Sequence, residues 1–273
     1  MRFLGKEVGT FSKQQQRIAE YLMQNRSKVS LLTVEELAKE IGVSMATISR
    51  FARAIGFANL KELRVTLHND TVSRPSQKLK DRLDRLESSD LFAEILRVER
   101  ENLEKTQERL NQNAFDRAVE LLDSTTRVFV WADGPSIALF ELLRFRLNRF
   151  GYAVTPITPT GPAMAEGLIN IRAGDVVMVF SFLHEKREAL HVVEFANDRR
   201  AHTVLCTDLL VAEIIDRVDV VLPIYRGAMS EFHSVTTPVS VVDALVLGIG
   251  RRRPAVRTEQ LAELERIRME LPR

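Results

Sequence analysis

Residues 33–56 read TVEELAKEIGVSMATISRFARAIG. Thr33 stands three residues before Glu36, the spacing of a capping box, in which a hydroxyl and a carboxylate satisfy the free N–H groups at a helix start. Leu37, Ala38 and Ile41 then give one apolar stripe at helical spacing. Gly42 supplies the exit turn, because glycine tolerates the positive φ found there. Ser44 caps a second helix whose inward face is Ile48, Phe51, Ala52 and Ile55. Its other side carries Ala46, Ser49, Arg50 and Arg53, with Met45 at the start and Thr47 at the flank. Small residues near a helix N-terminus let it enter a major groove about 12 Å wide, where hydroxyls and arginines reach base edges and phosphates. A surface helix with two solvated arginines is the alternative for the second helix alone. The capped helix before it and the short turn between them favour a DNA-reading helix-turn-helix. Its expected contacts are Thr33, Ser44, Met45, Ala46, Thr47, Ser49, Arg50 and Arg53.

Charge agrees with that placement. The chain of 273 residues has a net charge of +2, but residues 1–80 hold 14 Lys/Arg against 7 Asp/Glu, and the remainder holds 25 against 30. A basic first third on an acidic body puts the polyanion partner at the N-terminus. The composition, 45% hydrophobic and 28% charged, is that of a folded domain pair rather than a disordered or fibrous chain. A single cysteine, Cys206, in an apolar run, excludes an internal disulfide framework and reads as a buried, inert thiol in a reducing cytosol. No apolar run approaches the roughly 18 residues of a membrane span, and the N-terminal MRFLGKEVG lacks a signal-peptide core, so a cytoplasmic protein is expected.

Upstream, Ser12 and Gln15 form a second capping-box spacing before Ile18, Ala19, Leu22 and Met23. Downstream, residues 57–68 read as a further amphipathic helix, and DTVSRPSQ at 70–77 reads as a boundary interrupted by Pro75. Residues 78–87 alternate charges around Leu79, Leu83 and Leu86. Asp90 then caps a long helix to about Leu110, either a solvated connector or a dimer-forming spacer.

From Arg127 the pattern changes. Runs at 128–132, 153–157, 175–180, 202–206 and 218–223 are near-continuous, valine-rich apolar segments of the kind buried on both faces of a parallel sheet. Helical patterns at 137–149, 163–168, 187–198, 209–216 and 237–248 separate or follow them. Alternating strand and helix implies a doubly wound α/β domain with a five-stranded parallel sheet of flavodoxin-like type. Ligands in such sheets sit at the carboxyl ends of strands, which directs attention to 132–136 and 181–187. In the first loop, Gly134 permits a sharp turn and Ser136 is placed to cap the next helix and face an anion, though an ordinary strand-to-helix turn has the same composition. In the second, Ser181, His184, Lys186 and Arg187 suit an acidic ligand electrostatically; solvated cations are the plainer alternative. His184, Glu185 and His191 match no zinc spacing, so no metal is expected. Gly-x-Gly-x-x-Gly, the Walker Gly-Lys-Ser/Thr and Gly-x-Ser-x-Gly are all absent, so neither a cofactor nor catalytic residues are expected. Arg251-Arg252-Arg253-Pro254 leads into a charged helix at 258–271, read as a solvated end that packs on a partner subunit.

Taken together, the chain resembles the RpiR-type family of bacterial transcription regulators, which join an N-terminal helix-turn-helix to a SIS (sugar-isomerase) domain. The residues carrying the resemblance are Thr33-Val34-Glu35-Glu36-Leu37-Ala38, Val43 through Phe51, and Gly56-Phe57. In the second half they are Gly134, Ser136, Gly174-Asp175-Val176-Val177, Ser181, Thr207-Asp208, Ser234 and Val242-Asp243-Ala244-Leu245. The resemblance implies a helix-turn-helix domain at 1–76, linker helices at 77–111, and a SIS domain for effector binding and oligomerisation at 112–273. It also implies a homodimer or tetramer on a palindromic operator in double-stranded DNA, responding to a small acidic metabolite such as a sugar phosphate, within carbohydrate metabolism. The implied effector contacts are Gly134, Ser136, Ser181, His184, Lys186, Arg187 and Ser234. The chain departs from the family's Ser-x-Ser-Gly-x-Thr loop, keeping only Ser181 over 181–186. Ala132 replaces the first glycine of Gly-x-Gly-x-Ser, and Val235 follows Ser234 where an arginine is frequent. A lost hydrogen bond to a charged group is worth about 1.5–3 kcal/mol, so two missing hydroxyls weaken phosphate binding about a hundredfold or more unless Lys186, Arg187 or His184 replaces them. A sugar-phosphate isomerase, a regulator that has lost its ligand, and a scaffold whose helix-turn-helix binds protein remain the rival readings.

Overall fold

The computed structural model describes residues 2–3, 6–7, 12–24, 32–55, 90–183, 185–209, 212–227 and 233–271. The helix expected at 57–68, the boundary at 70–77, the charged run at 78–87 and His184 lie outside them.

A two-residue antiparallel pair, β1 (Arg2–Phe3) and β2 (Lys6–Glu7), opens the chain, an element its sequence did not suggest. Three helices follow: α1 (Lys13–Gln24), α2 (Val34–Ile41) and α3 (Met45–Ala54). Ile18, Ala19 and Leu22 of α1 meet Leu37, Ala38 and Ile41 of α2 and Ile48, Phe51 and Ala52 of α3, with Ile55 closing the cluster. Each of these side chains lies on the stripe that its 3.6-residue period assigns to the interior. Arg17 donates from Nη2 to Ile41 O at 2.9 Å, binding α1 to the end of α2.

A long helix, α4 (Leu91–Arg109), starts where Asp90 accepts the Ala93 N–H at 3.0 Å. It is followed by α5 (Gln112–Asp123), which sequence periodicity did not single out. Five parallel strands come next: β3 (Arg127–Ala132), β4 (Ala153–Ile157), β5 (Val176–Phe180), β6 (His202–Thr207) and β7 (Val220–Pro223). They lie in the order β4-β3-β5-β6-β7, with α6 (Ile137–Asn148), α7 (Met164–Leu168), α8 (Arg187–Asp198) and α9 (Glu213–Arg217) as crossovers. Two helices close the chain, α10 (Thr236–Arg252) and α11 (Pro254–Glu270).

Alternation along β5 shows why its run is apolar throughout. Val176, Met178 and Phe180 point into a core shared with α5, α6 and α10, while Val177 and Val179 point into a second core shared with α7, α8 and α9. Two covered faces leave no position for a polar side chain. β4 corrects the expectation of uniformly buried strands: it is an edge strand, with Ala153 and Pro156 exposed and only Ile157 buried. An edge position also accommodates Pro156, which has no N–H to give to a neighbour. Cys206 is fully buried in β6, and burial pushes its thiol up.

The arginines before α11 are not simply solvated, as their sequence suggests. Asp123, at the end of α5, is 4% exposed and accepts from Arg257 Nη2 at 2.9 Å, with Arg253 Nε at 3.1 Å and Arg252 Nε at 3.4 Å. Arg257 also donates to Tyr152 Oη at 3.0 Å and to Phe150 O at 3.1 Å. Burial pushes the Tyr152 phenol up to about 12, so it stays protonated and donates to Leu122 O at 3.0 Å. α11 is thus held mainly at its first turn. Val256, Ile267, Met269 and Leu271 remain exposed along it and just beyond it.

Candidate functional site

The N-terminal site is built by two caps and a turn. Thr33 Oγ1 accepts the Glu36 N–H at 3.2 Å and Glu36 Oε2 accepts the Thr33 N–H at 2.7 Å. Gly42 adopts φ 71°, ψ 41°, and its N–H reaches Ala38 O at 2.9 Å, which ends α2 and redirects the chain. Two residues later Ser44 Oγ accepts the Thr47 N–H at 3.1 Å and starts α3. With Ile48, Phe51 and Ala52 inside, α3 turns Met45, Ala46, Arg50 and Arg53 to solvent, with Ser49 half-exposed. Thr33 and Ser44 are exposed at the two helix starts.

Thr47 differs from the flank position expected of it. It is only 8% exposed, and its hydroxyl lies 2.8 Å from Ser44 Oγ and 3.4 Å from Arg50 Nη2. It therefore steers Arg50 rather than offering a free hydroxyl. At the open face of α3 the structure sets two guanidinium groups beside small side chains, an arrangement able to meet phosphates and base edges.

The second candidate site lies where the sheet order reverses. β3 has β4 on one side and β5 on the other, so the loops leaving β3 and β5 lie at the carboxyl ends where sheets of this kind form their ligand crevice. From β3 the chain enters a tight 3-10 turn, Gly134–Ser136, with Gly134 at φ 52°. Ser136 is buried and makes no side-chain cap to α6, contrary to the capping role its position suggested. From β5 the chain places Ser181 fully buried, its hydroxyl without a hydrogen-bond partner. Buried hydroxyls are ordinarily satisfied, so this one stands out among the polar atoms of the loop.

Lys186 reaches across from the β5 loop and pairs with Asp133 of the β3 loop. Burial holds the Lys186 ammonium below the ordinary lysine range, while Glu188 opposes that shift. Asp133 escaped attention in the sequence, although an acid in the first strand-end turn was the available signal. Arg187 is exposed on the first turn of α8. Ser234 is set apart from this pair in role: its Oγ accepts the Thr236 N–H at 3.0 Å and donates to Thr236 Oγ1 at 3.0 Å, at the start of α10.

The β5 loop is fixed from behind. The Leu183 N–H donates to Asp208 Oδ1 at 2.8 Å, and Glu185 Oε1 accepts the Ile214 N–H at 2.7 Å. Asp208 Oδ2 accepts from Arg226 Nε at 3.0 Å and Nη2 at 2.6 Å. Among the described residues no cluster of His, Cys, Asp and Glu has the makings of a metal site, and no helix is long and apolar enough to cross a membrane.

Comparison with known proteins agrees with both halves. Residues 3–74 match the helix-turn-helix domain of the rpiR family, and residues 120–248 match the SIS domain. The chain joins an rpiR-family helix-turn-helix domain to a SIS domain. An HTH-type transcriptional regulator of Haemophilus influenzae is 25% identical over 223 residues, covering 80% of this chain and 77% of that one. The sugar isomerase domain of the RpiR transcription factor from Sphaerobacter thermophilus superposes with a TM-score of 0.60 at 26% identity, over 65% of this chain and 99% of its own. The NanR protein of Vibrio vulnificus, solved in complex with ManNAc-6P, has a TM-score of 0.60 over 98% of this chain and 97% of its own; at 20% identity it shares the fold. This chain is therefore a transcriptional regulator built from a helix-turn-helix and a SIS domain.

Proposed function

We propose that this regulator binds a palindromic operator through α3 as a homodimer or tetramer. In the same proposal a small acidic metabolite, a sugar phosphate or a related compound, modulates that binding from the crevice between the β3 and β5 loops. The observation that carries the first part is the outward face of α3, where Arg50 and Arg53 stand among small side chains with Thr47 beneath Arg50. The second part rests on the orphaned Ser181 hydroxyl and the Lys186 cation on one loop, opposite Asp133 on the other. An anionic group on the ligand competes with Asp133 for Lys186, and a hydroxyl or amine on the ligand compensates Asp133. ManNAc-6P, bound by the NanR relative, offers both chemistries and is the first compound to test. Exposed apolar side chains on α4 (Phe92, Leu96 and Leu103), on α10 (Leu247) and on α11 support self-association.

The role is non-enzymatic in this reading, and the protein acts in the cytoplasm. Three described carboxylates on these loops are committed: Asp133 to Lys186, Glu185 to the Ile214 N–H, and Asp208 to Arg226 and Leu183. None is poised to move a substrate proton. A thermal-shift screen against sugar phosphates, sugar acids and central metabolites, with gel shifts on DNA upstream of the protein's own gene, tests the proposal. Stabilisation by one class, together with a change in a salt-sensitive, sequence-dependent shift, is the expected result. Turnover of a hexose or pentose phosphate seen by NMR overturns the non-enzymatic role, and absence of a specific DNA shift overturns the first part.

A further inference from the structure

The β5 loop and the long helix α4 are joined by buried side chains. Leu183 is one of two described non-glycine residues at positive φ, at 74°, and its N–H is held by Asp208 Oδ1 at 2.8 Å. Arg226 grips the other oxygen of that carboxylate and stacks 4.1 Å from the centre of the Phe182 ring, so it touches both the acid and the residue before Leu183. The side chains of Asp208 and Arg226 are 9% and 7% exposed. Tyr225, the adjoining residue, faces α4: its N–H donates to Thr106 Oγ1 at 2.8 Å, and the Thr106 hydroxyl donates to Tyr225 O at 3.3 Å. Lys105 and Arg109, on either side of Thr106 along the helix, lie 4.6 and 4.4 Å from the centre of the Tyr225 ring. Thr106 itself is 4% exposed.

We infer that Asp208, Arg226, Tyr225 and Thr106 form a relay that couples the backbone conformation at Leu183 to α4, the next described helix along the chain after the DNA-reading unit. This rests on the reading of the 181–186 loop as the sensing loop. Leu183 occupies a backbone region that L side chains disfavour, so its present conformation depends on the Asp208 acceptor. A ligand that draws the loop toward the crevice withdraws the Leu183 N–H from Asp208. The carboxylate is then left with Arg226 alone, and the pair relaxes together because both groups are buried. Arg226 is covalently next to Tyr225, whose backbone holds Thr106 through both its N–H and its C=O. Displacement at 226 therefore reaches α4 with no intervening solvent or mobile side chain. Packed contacts of this kind shift between discrete arrangements rather than deform smoothly. Linkage makes the coupling reciprocal, so loosening α4 loosens the loop.

Hydrogen exchange of the full chain, measured by mass spectrometry without DNA or metabolite, tests the relay. Thr106→Val keeps the side-chain shape and removes both hydrogen bonds; exchange in peptides spanning 181–186 is expected to rise about tenfold, the effect of roughly one hydrogen bond. Asp208→Asn is expected to raise exchange across 102–109 by a similar factor. Glu104→Ala, 66% exposed on the same helix, is expected to leave 181–186 unchanged. Should Asp208→Asn unfold the domain, the conservative Thr106→Val decides alone. Exchange that rises only around residue 106, with 181–186 at its wild-type rate, overturns the relay even if metabolite and DNA binding are established. Reciprocal changes in a protein that shifts no DNA refute the regulatory reading and leave the relay standing.

Discussion

Gly42 offers a direct test of how the reading unit is set. It sits at φ 71° between α2 and α3, and a Cβ added there would stand 3.0 Å from Arg17 Nη2. Gly42→Ala therefore has two costs. A left-handed conformation destabilises an L residue by about 1–2 kcal/mol. Moving Arg17 aside weakens its 2.9 Å bond to Ile41 O, worth about 0.5–1.5 kcal/mol and at the lower end here because Arg17 reaches water. Together they amount to about 1.5–3 kcal/mol, or about a 10- to 150-fold greater opening of the unit. Amide exchange of peptides across 34–54, in the full chain, reads that opening while peptides from β5 and β6 serve as an unchanged reference. Gly42→Asn, a residue that tolerates the left-handed region, is expected to keep only the Arg17 cost. In an Arg17→Ala background Gly42→Ala is expected to keep only the backbone cost. A change below threefold across 34–54 for Gly42→Ala would refute the claim that this turn depends on glycine.

Three further predictions concern the two sites and the anchor of the last helix. Arg50→Ala is expected to cost about 1–3 kcal/mol in operator binding and to relax specificity at one position per half-site, as read by gel shifts on a set of base-substituted operators; a uniform loss across all sequences makes Arg50 a phosphate contact instead. Ser181→Ala combined with Lys186→Ala is expected to abolish the metabolite-induced change in thermal stability and in DNA binding, and a response that persists puts the pocket elsewhere. Asp123→Ala is expected to destabilise the SIS domain by about 3–5 kcal/mol in urea titrations, because Arg257, 7% exposed, loses its buried counter-charge; Asp123→Leu with Arg257→Met recovers most of that loss, and equal losses in the single and double variants count against a buried ion pair.

Local signals in the chain were sufficient for much of this architecture. Capping-box spacings at Ser12 and Thr33, the glycine at 42 and the apolar stripes of α1 to α3 depend on contacts three or four residues apart, so periodicity exposes them directly. The apolar runs likewise declared a sheet with two covered faces, since burial on both sides favours apolar side chains at most positions of the inner strands. From those runs and the rule for strand ends, the loops at 132–136 and 181–187 followed.

What only the tertiary structure decided are pairings between residues distant in sequence. Asp133 and Lys186 are 53 residues apart and meet because β3 and β5 are neighbours, which no local pattern encodes. Asp123 gathers Arg252, Arg253 and Arg257 across 129 to 134 residues of chain, so two arginines read as part of a solvated end, with Arg257, which the sequence did not single out, serve as an anchor. Thr47 is a case at short range: its place on the helix is plain, but its burial and its hydroxyl's contacts with Ser44 and Arg50 are not read from the spacing. β4 reads with its sister strands as a buried run, yet its position at the sheet edge leaves Ala153 and Pro156 in water, and Pro156 was the available signal. Periodicity reports which face of an element is apolar, through contacts within a few residues. Which charge meets which, and which strand is last in the sheet, depend on the packed whole.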